Sequence, residues 1–93
     1  MKALTVPTFE RTAKKLNKNE KKHLDDAVRK LLEQPNLGEE KKGDLSGIFV
    51  YKYRIKSQLW LLAYSIDSEQ YLTLRLIGPH QNFYEALKRN VSN

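Results

Sequence analysis

From Leu59 to Tyr64 the chain reads Leu-Trp-Leu-Leu-Ala-Tyr, and with one serine the run reaches Ile66. Strand side chains point alternately to the two faces of a sheet, so a strand apolar at every position must be covered on both. This stretch is therefore a central strand with material above and below it. Its neighbours are legible too. Phe49 to Lys56 alternates strictly, with Phe49, Tyr51, Tyr53 and Ile55 on one side and Val50, Lys52, Arg54 and Lys56 on the other. Such alternation, rich in aromatic and β-branched residues, marks a half-buried strand. Tyr71 to Ile77 forms the third, with Leu72, Leu74 and Leu76 facing one way and Thr73, Arg75 and Ile77 the other. Turns at Lys56-Ser57-Gln58 and Asp67-Ser68-Glu69 join the three into an antiparallel meander.

The cover comes from helices. Lys2 to Val6 is a short strand stopped by Pro7, after which Thr8 is placed to cap a helix carrying Phe9, Ala13 and Leu16. Asn17 followed three residues later by Glu20 resembles a capping box. The longer helix behind it has an apolar stripe of Leu24, Ala27, Val28, Leu31 and Leu32, and ends before Pro35. Two such helices form a hairpin that needs the sheet to bury its stripes. Residues Pro35 to Gly43, with Glu39-Glu40-Lys41-Lys42, read as a solvated connection. Gln81 to Val91 reads as a C-terminal helix whose Phe83, Leu87 and Val91 dock on the sheet, while His80, Tyr84 and Lys88 recur at the same spacing beside them. The expected fold is α+β and occupies 1–93 as a single domain.

Composition narrows the chemistry. The chain has 93 residues, no cysteine and two histidines, so thiolate or His-rich metal sites are excluded. No metal or other cofactor is expected. No apolar run suits a membrane span and no signal peptide is evident, so the expected place is the cytoplasm, with no membrane partner. A net charge of +6 points to an acidic partner, nucleic acid foremost.

The polar groups that can converge are Lys52, Arg54, Lys56, Arg75, His80, Tyr84 and Lys88. There is no carboxylate pair, no Ser-His-Asp order and no Gly-rich phosphate loop. A cation-rich site with one histidine and one tyrosine suits metal-independent RNA cleavage, in which the 2′-hydroxyl attacks the adjacent phosphate. That reaction needs proton transfer and cations on the developing charge. His80 is the group whose ordinary pKa lies near neutrality. Lys52 and Arg54 suit the phosphate, and Tyr84 suits stacking on a base. Lys56, Arg75 and Lys88 are candidates for further RNA or phosphate contacts.

The order strand, helical hairpin, meander, C-terminal helix resembles the RelE/ParE superfamily of toxins from bacterial type II toxin–antitoxin systems. The resemblance covers essentially the whole chain. It rests on Gly43-Asp44-Leu45-Ser46-Gly47, Val50-Tyr51-Lys52-Tyr53-Arg54, Leu62-Ala63-Tyr64, and Gly78-Pro79-His80-Gln81-Asn82-Phe83-Tyr84 running into Leu87-Lys88-Arg89. The Gly-x-His ending is most similar to ParE-like members. Lys52 and Arg54 match two lysines that act on the scissile phosphate in RelE. Leu61 stands where RelE has an arginine. His80 falls where YafQ-like relatives have a functional histidine, and Tyr84 matches a C-terminal tyrosine. The resemblance implies catalytic roles for Lys52, Arg54, His80 and Tyr84, and a ribosome-dependent endoribonuclease, an mRNA interferase that inhibits translation and arrests growth. It also implies an acidic antitoxin as partner, besides ribosome and mRNA. The same scaffold in ParE members inhibits DNA gyrase without these residues, and an inactive relative would keep antitoxin binding alone.

Overall fold

The computed structural model describes residues 1–91, with the side chain of Val91 outside the description. Strands β3 (Ile48–Ile55), β4 (Gln58–Ile66) and β5 (Tyr71–Pro79) form the meander. Strand β4 is central, and its side chains divide between two cores. Trp60, Leu62 and Tyr64 join Phe9, Leu24, Ala27 and Leu31 of α1 (Pro7–Lys14) and α2 (Lys18–Glu33). Leu61 and Ala63 join Phe83 and Leu87 of α3 (Phe83–Val91) on the other face. Leu61 and Leu62 are both 0% exposed, so the strand that reads as two-faced is sealed on both faces. Burying each leucine contributes about 1.5–3 kcal/mol.

Two short strands complete a five-stranded sheet of order β1-β5-β4-β3-β2. Strand β1 (Lys2–Thr5) runs parallel to β5, and β2 (Glu39–Glu40) pairs antiparallel with Val50 and Phe49 of β3. The 35–43 segment is therefore not simply solvated. A buried phenol explains why: the Tyr64 hydroxyl accepts the Gly38 N–H at 2.9 Å and donates to the Pro35 carbonyl. Those bonds hold the segment against the sheet, and Phe49 stacks on the Tyr64 ring with centroids 5.4 Å apart.

Helix α1 starts two residues earlier than a Thr8 cap requires. Pro7 occupies its first turn and Val6 is the cap, without a side-chain bond. A proline there lacks only an N–H that has no helical partner, and its fixed φ suits the helix. The capping box on α2 is present, with the Glu20 N–H donating to Asn17 at 2.8 Å and the Asn17 N–H to Glu20 at 2.9 Å.

Strand β5 departs from simple alternation. Ala63 lies opposite Leu76 and Tyr64 opposite Leu74, so Arg75 is an extra residue in a β-bulge. Beyond it the parity reverses. Leu76 packs under α3 with Leu61, and Ile77 joins the core beneath the helical hairpin.

The β3–β4 turn carries a strained residue. Lys56, expected to end the cation row of β3, heads the turn instead at φ 57. The left-handed conformation costs a side-chain-bearing residue roughly 1–2 kcal/mol, and glycine largely avoids that cost. Lys56→Gly should therefore stabilise the fold by up to about 1 kcal/mol, raising Tm by roughly 4–8 °C in a thermal melt. A lower Tm would mean that the lysine side chain supports the turn.

Candidate RNA-cleavage site

Lys52 and Arg54 extend the face of β3 that Ile48 and Val50 begin. Ile48 and Val50 are buried beneath α3, whereas Lys52 and Arg54 emerge beyond it into solvent. Register then ties them to the end of β5. Lys52 lies opposite Leu61, which lies opposite Gly78. Arg54 lies opposite Leu59, whose carbonyl accepts the His80 N–H at 3.0 Å. The backbones of Arg54 and His80 are thus two strand spacings apart, about 10 Å. An arginine and a histidine side chain can both reach an anion held between such positions. Arg54 also donates from Nη1 to the Ser57 carbonyl at 3.1 Å.

The expected stripe of His80, Tyr84 and Lys88 does not form as a helix face. Helix α3 begins at Phe83, and His80 lies in an exposed bend before it. Asn82 at φ 60 turns the chain between the two, so the imidazole belongs to the strand end. Arg75 lies roughly 10 Å along β5 from the Lys52–Leu61–Gly78 line, three residues away. It is half-buried and donates from Nε to the Ser65 hydroxyl at 2.9 Å. Ser65 in turn bonds Asp67 at 3.1 Å, which also accepts from Thr73. Lys56 stands at the turn, exposed. The structure therefore lines up Lys52, Arg54 and the His80 backbone, and leaves Arg75 and Lys56 apart.

Tyr84 is half-buried on α3, edge-on to Phe83 with ring centroids 5.6 Å apart. Its other neighbour is one that the sequence does not announce. The Lys41 ammonium lies 5.3 Å from the centre of the Tyr84 ring and is ion-paired with Glu39. Glu39 faces Val50 in register, one step from Lys52 on the same side, so a carboxylate enters a neighbourhood that reads in sequence as purely cationic. The hydrogen bond and charge of Lys41 hold the Glu39 carboxyl below its ordinary range, with a small contribution from Lys52. The Glu39 bond holds Lys41 above its own range, against its partial burial. The link is fully charged between the ordinary carboxylate value of 4.5 and the ordinary lysine value of 10.5. It weakens as pH falls through the depressed carboxyl pKa or rises through the elevated lysine pKa. The available sequence signal was the period-two spacing of Glu39 and Lys41, which places both on one strand face.

Between α3 and the turn Gly43–Leu45 lies an open groove of about 420 Å³, lined by Lys41, Lys42, Asp44, Leu45, Tyr84 and Lys88. Among the described residues no cluster of three or more potential metal ligands occurs. No helix among them is long and apolar enough to cross a membrane.

The chain is a small, basic α+β protein with cations at one end of its sheet and a lysine-lined groove under its last helix. Comparison with known proteins makes the class specific: the model of the ParE-like toxins of type II bacterial toxin–antitoxin systems matches residues 3–88. The chain belongs to that family. Solved structures agree on the fold. A double arginine-to-alanine mutant of E. coli RelE toxin in the free state superposes with a TM-score of 0.74 at 16% identity, covering 97% of this chain and 92% of that one. The same mutant with a peptide of the antitoxin RelB gives 0.67 at 20% identity, with 94% of each chain covered. RelE in the intact E. coli RelBE toxin–antitoxin complex gives 0.65 at 18% identity, covering 82% of this chain and 92% of that one. None of the curated proteins matches the chain.

Proposed function

We propose that this toxin is a metal-independent endoribonuclease that cuts messages on the ribosome and is restrained by an acidic antitoxin. The observation that supports the reading is the register that sets the backbones of Lys52 and Arg54 across β4 from the strand end that bears His80. Lys52 and Arg54 stabilise charge on the phosphate as the 2′-hydroxyl attacks, and His80 moves the proton. Tyr84 presents a ring to a base. The likeness to RelE supports the fold needed for this chemistry, and the RelB complexes support an antitoxin partner.

The alternative is inhibition of DNA gyrase, favoured by the ParE-like family model. Expression of the wild-type chain separates the two. Sequencing of message ends should show discrete cuts in translated regions while plasmid supercoiling stays unchanged. DNA breaks with intact messages would replace this reading by gyrase inhibition.

Binding should also depend on salt. Two to four phosphate contacts predict a slope of about −1.4 to −2.8 in log affinity against log salt for single-stranded RNA. Between 50 and 200 mM salt, affinity for a non-cleavable RNA should then fall by about 7- to 50-fold, as measured by fluorescence anisotropy. A flat profile would contradict the phosphate roles of Lys52 and Arg54.

A further inference from the structure

We propose that the groove between α3 and the Gly43–Leu45 turn is a second nucleotide subsite, in which Lys41 and Lys42 hold a phosphate of the RNA strand beside the cut. This rests on the ribonuclease reading and extends it to residues that enter the site only through the fold. Three lysines line the groove against a single acid, Asp44, while Leu45 and the Tyr84 ring supply apolar surface. Its volume of about 420 Å³ lies in the ~300–1,000 Å³ range of ligand sites. A cationic wall beside an aromatic ring is how single-stranded nucleic acid is held without base-specific contacts.

Lys41 is already ordered for the task. Glu39 fixes its position, and an ammonium has three donors, so the pair leaves donors to spare. Lys42 is exposed beside it. Tyr84 and Lys88 are one helical turn apart on the opposite wall, so a base on the ring leaves its backbone within reach of lysines on both sides. Glu39 separates this groove from Lys52, and the neighbouring cations reduce its repulsion of a phosphate. One strand can therefore place one phosphate at Lys52 and Arg54 and another at Lys41 and Lys42.

The test uses the full ¹⁵N-labelled chain and an RNA pentanucleotide with 2′-O-methyl riboses, which cannot be cut. The expected result is that the amide signals of Lys41, Lys42, Leu45, Tyr84 and Lys88 shift together with those of Lys52, Arg54 and His80. Lys41→Met with Lys42→Met keeps both stems and removes two phosphate ligands. At about 0.7 per contact, the salt slope should shrink by about 1.4 and affinity at 0.1 M salt should fall about 25-fold, with an unchanged melting curve. Shifts confined to Lys52, Arg54 and His80 would overturn the subsite and leave the ribonuclease reading standing. An unresponsive spectrum, with intact messages and altered DNA topology in cells, would overturn both. Equal shifts of the groove by a poly-glutamate peptide would also overturn it, by making the groove a protein-docking surface.

Discussion

Replacing His80 with alanine should abolish growth arrest and message cutting while leaving the melting curve almost unchanged. His80 is exposed, and its visible structural ties are backbone bonds, its N–H to the Leu59 carbonyl and its carbonyl from the Phe83 N–H, both of which alanine keeps. Surface replacements of this kind usually change stability by less than about 0.5 kcal/mol. Loss of a group that moves a proton in the transition state costs about 10²–10⁴-fold in rate. The Lys52→Ala/Arg54→Ala pair should have a comparable effect for a different reason. It removes charge from the phosphate, and both side chains stand clear of the core. Tyr84→Phe keeps the ring and should be milder than Tyr84→Ala. The measurements are growth after induction, mapping of message ends, and pull-down by the antitoxin, which should survive in every variant. Arrest that persists in the His80 and Lys52/Arg54 variants, with no message cut, would end the ribonuclease reading.

Gly38→Ala should be the most damaging small change in the chain. Gly38 is buried, and a Cβ built on it would lie 2.7 Å from the Tyr64 hydroxyl oxygen and 2.9 Å from the ring. Its φ of −73° suits any residue, so the cost lies in contact rather than backbone strain. Tyr64 is 0% exposed and has no room to retreat without giving up Gly38, Pro35 and the Phe49 stack. Overpacking costs about 1–3 kcal/mol and a stranded buried polar group another 1–3, so a loss of about 2–6 kcal/mol is expected. In a domain of this size that lowers Tm by roughly 8–48 °C. Tyr64→Phe alone should cost about 1–2 kcal/mol, and in the Gly38→Ala background it should recover part of the loss. Simple additivity in that double-mutant cycle would show that the methyl and the hydroxyl do not meet. The glycine variant should also weaken RNA binding, because β2 carries Glu39 and leads into Lys41 directly after this anchor.

The parts of the fold readable in the sequence are those with a local cause. An all-apolar run requires two covers, Asn17 and Glu20 satisfy each other's backbone, and Pro35 ends a helix wherever it falls. The parts that escaped depend on distant partners. Glu39-Glu40 has no strand signal of its own and becomes β2 because Tyr64, far along the chain, fixes the residues before it. The bulge at Arg75 is invisible because one extra polar residue between leucines still looks like alternation. At the candidate site, period two alone sets Lys52 and Arg54 on the same side of β3 as Val50. The role of Lys41 does not, since its aromatic neighbour sits on the final helix. His80 and Tyr84 looked like one helical stripe until Asn82 at φ 60 separated them.

The parallel pairing of β1 with β5 has a consequence for synthesis. The first strand of this sheet to be made pairs with the last, Lys2 with Tyr71 and Thr5 with Leu74. Roughly 70 residues separate their appearance, about 4–14 s at ordinary translation speeds. During that interval β1 has no partner, the sheet lacks one edge, and neither His80 nor α3 exists. A chain threaded this way completes its sheet, and with it the proposed cutting site, only after β5 and α3 have been made.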